Sequence, residues 1–244
     1  MFRDRAGDRA EVFAYGALGY GTLQEAMVAM DWAPALRPDW VIVQATGNDL
    51  INNSFALEID SYGSNNNKRR PYLVSTSTTS QEWAISRRVP KPWPGLHEFA
   101  FDHSRMLYYL LSRADRLLLD PAELTTEREI RERGLSWPSF KSASDTTAAI
   151  LRRLKQQTQP ARVAVFIVDA DEPYVTAFRR ACAAADVAFT TAAAEAIHEA
   201  ETQGRIVRGF DRVHWNELGH QVAAEALVTF FREASSELGL PGAP

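Results

Sequence analysis

Cysteine is all but missing from this chain. Cys182 is the one thiol in 244 residues, so no disulfide closes within it, and the redox compartment stays open. Long apolar runs are missing too: none approaches the roughly 20 residues that cross a bilayer. The opening stretch MFRDRAGDRAEVF is too charged to read as a secretory signal. There is no excess of basic charge. Lys and Arg number 27 against 31 Asp and Glu, a net charge of −4, which offers nucleic acid no global field. Thirteen Gly and twelve Pro are ordinary numbers and exclude a collagen-like or low-complexity chain. What remains is globular: 45% hydrophobic and 24% charged residues. A chain of this length buries roughly 70–75% of its unfolded surface without a disulfide or metal staple.

The apolar pattern alternates strands with helices. Glu11–Tyr15 reads as a short strand entering the Gly-rich turn Gly16–Gly21. A helix follows, with Thr22 and Glu25 at capping-box spacing and Pro34 and Pro38 at its end. Trp40–Ala45 is a nearly continuous apolar run, the pattern of a parallel strand buried on both faces, and it empties into Thr46-Gly47-Asn48-Asp49. From 52 to 94 the chain is rich in Asn, Ser, Thr and Pro and reads as a long surface excursion with little regular structure. Helices are predicted over about 96–119 and 123–133, and from a cap at Ser144 or Asp145 to about Gln157. Arg162–Val168 and Val187–Thr191 read as strands, with helices at about 172–185, up to Gly204, and 217–233. Such alternation predicts one α/β domain over 1–244, its parallel sheet covered on both faces.

Ligands of open α/β sheets bind at the carboxyl ends of the strands. Three segments fall at such ends: the Gly19 turn, the Asn48 loop and the loop carrying Asp211 and His214. A glycine N–H and an Asn amide are good oxyanion donors. A His with an Asp three residues earlier suits a general base held in one tautomer by a carboxylate. Each part has a plain structural reading beside this one. Gly19 can simply supply positive φ, Asn48 can form a turn, and Asp-x-x-His pairs commonly start helices.

The three segments together resemble blocks of the SGNH (GDSL-type) hydrolases. GALGYGTLQE (Gly16–Glu25) is similar to the block that contributes the oxyanion glycine, at Gly19 here. PDWVIVQATGNDLINNS (Pro38–Ser54) is similar to the Gly-x-Asn-Asp block, which gives Asn48 the second oxyanion role. DRVHWNELGHQVAAEAL (Asp211–Leu227) is similar to the C-terminal block, making His214 the base and Asp211 its orienting acid. The resemblance implies a flavodoxin-like three-layer α/β/α sandwich and a carboxylic ester hydrolase acting on a small-molecule or carbohydrate ester. No metal or cofactor is implied.

The family's fourth block, a Gly-Asp-Ser triplet ending the first strand, has no counterpart. Gly7-Asp8-Arg9 has Arg where Ser is needed, and none of Ser54, Ser64 and Ser75 sits on a strand-to-helix elbow. The first strand is therefore expected to be missing from the sheet. The expected result is either a central gap or direct pairing of Val12–Tyr15 with Trp40–Ala45. One expectation is that Met1 is not the authentic start, or that the gene is a truncated remnant. The chain as it stands is then almost inactive. A non-catalytic binding module and an acyltransferase are the alternatives, and any signal or anchor would lie upstream.

Other features have plainer readings. His97, His103, His214 and His220 lack the carboxylates or cysteines of a metal site. Lys68-Arg69-Arg70 reads as a solvated loop, with a grip on an anionic or carbohydrate substrate as the alternative. Trp83, Trp93 and Trp137 read as packing beneath a long loop, or as a sugar-stacking or acyl-binding wall. Trp215 packs the His214 loop, Asn216 caps the last helix, and Cys182 is a small buried hydrophobe.

Overall fold

The computed structural model describes residues 11–17, 19–61, 69–75, 83–88, 93–118 and 125–236. Gly7-Asp8-Arg9, Ser64 and Lys68 lie outside them. The described chain is α/β, with a three-stranded parallel sheet flanked by helices. In order it runs α1 (Thr22–Leu36), β1 (Trp40–Ala45), α2 (Gly47–Asn52), α3 (Phe55–Ile59), β2 (Arg70–Ser75), β3 (Trp83–Arg88), α4 (Pro94–His103), α5 (Arg105–Leu118) and α6 (Thr126–Arg133). After a 3₁₀ turn come α7 (Pro138–Gln157), β4 (Arg162–Ile167), α8 (Tyr174–Ala185), β5 (Ala188–Thr190), α9 (Ala192–Thr202) and α10 (Glu217–Ser236).

The sheet order is β1-β4-β5, in register from Trp40↔Arg162 to Ala45↔Ile167 and from Ala164↔Ala188 to Phe166↔Thr190. Side chains alternate across it. Val43, Ala45, Val163, Val165 and Ile167 pack on Leu23 and Ala26 of α1, on Phe140, Ile150, Leu151 and Leu154 of α7, and on Val175, Phe178 and Cys182 of α8. Ala164 and Phe166 face Ala193 of α9 and Ala223, Leu227 and Phe231 of α10. Val222, Ala223, Leu227 and Phe231 lie on the buried face of α10. Burial pushes the Cys182 thiol up to about 12, in keeping with its role as a packed apolar group.

β4 is the strand buried on both sides. β1 is not, because among the described residues its one strand neighbour is β4 and it forms the sheet edge. Ile42 is 40% exposed and Gln44 is exposed with it. The strand expected at Glu11–Tyr15 is absent. These residues are irregular and exposed, and Tyr15 stacks on Trp32 of α1 at 5.5 Å instead of joining β1. Apolar alternation specifies a strand only where a neighbour offers a ladder, and this segment lies against a helix. Neither a central gap nor a Val12–Tyr15 pairing with β1 occurs.

Several helix boundaries also move. α1 is capped by Gly21, whose N–H donates to Gln24 Oε1 (3.2 Å), while Asn53 Oδ1 accepts from Leu23 N–H (3.2 Å) across 30 residues. Thr22 is already helical, and Pro34 sits in the last turn without ending it. α7 begins at Pro138, where a first-turn proline loses no hydrogen bond. Ser144 and Asp145 are therefore mid-helix and work sideways: Ser144 Oγ donates to Ala177 O (3.0 Å) and Asp145 pairs with Arg180 (2.6 Å). The segment predicted as one helix over 96–119 is two, broken at Ser104.

The excursion is more ordered than its composition suggests. It holds α3, capped by Ser54, and the antiparallel pair β2–β3. Arg70 and Tyr72 of β2 are almost wholly buried, so Arg70 is neither a solvated loop residue nor a grip on an anion. Arg69 pairs with Asp102 at 3.0 Å. Trp93 is 73% exposed, whereas Trp137 packs on the main core. No described helix is long and apolar enough to cross a membrane.

Candidate functional site

The loop before α10 is knit by its own backbone. Gly209 N–H donates to His214 O (2.8 Å), Asn216 N–H to Val207 O (3.0 Å) and Arg212 N–H to Gly209 O (3.0 Å). Asn216 closes the structure as predicted. Its Oδ1 caps α10 through Gly219 N–H (3.0 Å), and its Nδ2 donates to Ile206 O (2.8 Å). Gly219 has no room for a side chain, since a Cβ there would lie 2.2 Å from Val207 O. Gly219→Ala is expected to cost about 1–3 kcal/mol and to loosen this loop. The check is the shift in thermal midpoint together with faster amide exchange at Gly209 and Asn216.

Asp211 sits at the centre of the loop. Its Oδ1 accepts from Val213 N–H (3.0 Å) and His214 N–H (3.1 Å), and its Oδ2 accepts from His214 Nδ1 at 2.6 Å. These donors, the imidazole first, hold the Asp211 carboxyl down at about 2. A carboxylate accepting at Nδ1 fixes the proton there and leaves Nε2 as the basic nitrogen. The His214 side chain is 79% exposed, so the pair faces open solvent.

Asn48 lies in the first turn of α2, just beyond the carboxyl end of β1. The Thr46 hydroxyl donates to Asn48 Oδ1, which leaves Nδ2 as the donor end of the amide. Thr46 is in turn held by Asp49, whose carboxylate accepts Thr46 N–H (3.0 Å) and has its other oxygen 3.2 Å from the Thr46 hydroxyl oxygen. Asp49 is buried, which raises its pKa, while the Thr46 bonds and Arg70 pull the other way. Glu25 of α1 is raised as well, first by burial and then by Asp49.

A cleft of about 510 Å³ joins these two loops. Asn48, Thr46 and Gly47 line one side, Val213, His214 and Trp215 another, and Val168, Asp169, Asp171 and Tyr174 the segment after β4. His214 and Asn48 therefore share a cavity, with Asp211 behind the imidazole. Gly19 is not among the lining residues. It sits before α1 at φ +75°, its carbonyl taking a hydrogen bond from Arg70 Nη1 (2.6 Å). His220 also lines the cleft, edge-on to Trp215. His97 is buried, 3.1 Å from Asp115, and no cluster of three or more metal-ligating side chains occurs among the described residues.

Two contributors escaped the sequence reading. Asp169-Ala170-Asp171 follows β4 directly, so the rule that pointed to Asn48 applied to it equally. Gly47 packs on the Tyr174 ring, where a Cβ would meet ring carbons at 2.9–3.2 Å; nothing local in the sequence announces that contact.

No known family model, curated protein or solved structure matches this chain.

Proposed function

We propose that this cleft is the general-base and oxyanion side of an SGNH-type carboxylic ester site, carried on a flavodoxin-like three-layer sandwich. The observation that carries the reading is the 2.6 Å Asp211–His214 bond in one cavity with the donor end of Asn48. An ester carbonyl lying between them meets Nδ2 of Asn48 at its oxygen, and Nε2 of His214 takes the proton of the attacking group. Gly19, to which the resemblance gives the second donor role, does not line this cleft.

Among the described residues, no serine or cysteine lines the cleft. Its two hydroxyl side chains are poor substitutes. Thr46 is engaged with Asn48 and Asp49, and burial pushes the Tyr174 hydroxyl up to about 12. This favours a second reading, a module that binds the ester without cleaving it.

With p-nitrophenyl acetate, the 244-residue chain is expected to show no acyl-enzyme burst. Turnover should lie on the order of 10⁶-fold below that of an intact triad. Titration with a slowly reacting alkyl acetate should still move the NMR signals of His214 and Asn48. Unmoved signals at both residues defeat the ester reading. A burst that disappears in His214→Ala defeats the assignment of a cleft without a nucleophile.

A further inference from the structure

The helical hairpin α4–α5 is turned inside out. The stripe of α5 that packs on α4 is its polar one. Asp115 lies 3.1 Å from Nε2 of His97, and Tyr108 meets the rings of His97 and Phe101 edge-on. The apolar stripe, Met106, Leu107 and Leu110, faces solvent, with Met106 73% and Leu110 55% exposed. Leu96 and Phe99 of α4, and Trp93 just before it, are exposed as well. A helix on the surface of a domain ordinarily shows the reverse, with its apolar stripe on the core. So many uncovered large side chains on one hairpin go beyond the scattered apolar residues of an ordinary surface. The charges around them are mostly basic. Residues 83–118 hold six Lys and Arg against three Asp and Glu, in a chain whose net charge is −4. Two of the three carboxylates are engaged, Asp115 with His97 and Asp102 with Arg69, and the third, Glu98, is half-buried. Along α5, Arg105, Tyr109 and Arg113 follow one another at i, i+4 and i+8, beside Met106 and Leu110. The Arg113 guanidinium lies over the Tyr109 ring at 5.2 Å. Arg105, and Arg87 of β3, are exposed with no carboxylate partner among the described residues.

We propose that this hairpin docks on a lipid surface bearing anionic headgroups, lying on the membrane and not crossing it. Trp93, Phe99, Met106 and Leu110 enter the boundary between headgroups and acyl chains. Arg87, Arg105 and Arg113 reach the phosphates at that level, their aliphatic stems along the apolar surface and their charges in the headgroup layer. An anionic bilayer answers both features of the hairpin at once, its apolar stripe and its excess of guanidinium groups. Two other occupants answer only the first. A second copy related by a two-fold axis would set the same guanidiniums against each other. An uncharged apolar groove on another protein would bury them without counter-charges. The assignment does not depend on the ester reading of the cleft.

Co-sedimentation of the whole chain with vesicles tests it, using phosphatidylcholine alone against phosphatidylcholine mixed with phosphatidylglycerol. Binding to the anionic vesicles is expected to be on the order of tenfold tighter at low salt, with the gap closing as salt rises. Met106→Ser/Leu110→Ser should weaken binding to the anionic vesicles on the order of tenfold. Arg105→Gln/Arg113→Gln should shrink the preference for phosphatidylglycerol. All four side chains are exposed, so unchanged circular dichroism and thermal midpoint are expected and show that the fold is kept. No binding to either vesicle overturns the proposal, and so does equal binding to both at low salt. Binding to the anionic vesicles that neither double variant weakens places the contact elsewhere and overturns it too. Analytical ultracentrifugation covers the remaining case: a dimer that Met106→Ser/Leu110→Ser dissolves, in a chain that leaves vesicles alone, gives this face to a second copy.

Discussion

Arg70→Met is expected to cost about 3–5 kcal/mol of folding stability, much of the 5–15 kcal/mol that a domain typically has. Arg70 is 1% exposed and sits at a junction of three segments. Its Nε donates to Glu58 of α3 at 2.9–3.0 Å, and its Nη1 donates to Gly19 O and to Gln24 Oε1 of α1, each at 2.6 Å. Tyr72 Oη adds a bond to Glu58 at 2.9 Å. Burial already lifts the Glu58 carboxyl to about 7 against the pull of Arg70 and Tyr72. Removing the guanidinium leaves that carboxyl buried with the Tyr72 hydroxyl but no counter-charge, and it also frees the Gly19 turn. Urea unfolding gives the measurement. The double variant Arg70→Met/Glu58→Gln should recover part of the loss, because it removes the stranded charge as well. A single variant within about 1 kcal/mol of the parent would show that the network contributes little.

Stability is expected to fall as pH rises from the ordinary carboxylate range toward mildly alkaline values. Glu25 and Asp49 face one another between α1 and α2, and the pKa of each is raised, chiefly by burial. Glu25 Oε2 has no hydrogen-bond partner among the described residues to support its charge. A carboxyl raised on folding binds its proton more tightly in the folded state. Its contribution is therefore complete below the unfolded pKa and is lost as pH climbs toward the folded one. A tenfold gain in proton affinity on folding corresponds to about 1.4 kcal/mol, so the decline across that window is on the order of a few kcal/mol. Glu25→Gln should flatten the profile and raise stability at the alkaline end. The check is a set of urea midpoints across the pH range, parent against variant. A parent whose stability rises steadily over that window would mean that Glu25 and Asp49 ionise as ordinary surface carboxylates.

These two predictions concern residues whose importance was hidden in the sequence. Arg70 stands in a basic triplet within a polar stretch, and composition places such residues in solvent. It is buried because β2, whose residues 70–73 are all buried, brings it to Glu58 and the Gly19 carbonyl. Its partners lie 12, 46 and 51 residues away. The same distance problem hid Asn53 as the residue that caps the start of α1, and Tyr174 as the ring against Gly47.

Other parts were legible because they are local. Asp211 and His214 are three residues apart, and one turn suffices to close their bond. Asn216 caps the helix it precedes. The apolar runs Trp40–Ala45 and Arg162–Ile167 became strands in parallel register, and the apolar stripe of the last helix became its buried face.

By itself, then, the sequence determined the α/β alternation, the β1 and β4 strands and the His214–Asp211 pair, all of which depend on neighbours a few residues away or on a run of apolar side chains. The tertiary structure alone decided that Glu11–Tyr15 joins no sheet, that β1 is an edge, that Arg70 is interior and that the cleft wall is acidic. Each of those outcomes depends on which distant segment arrives alongside, and a strand edge, a buried charge or a cavity wall has no meaning until its partner is in place.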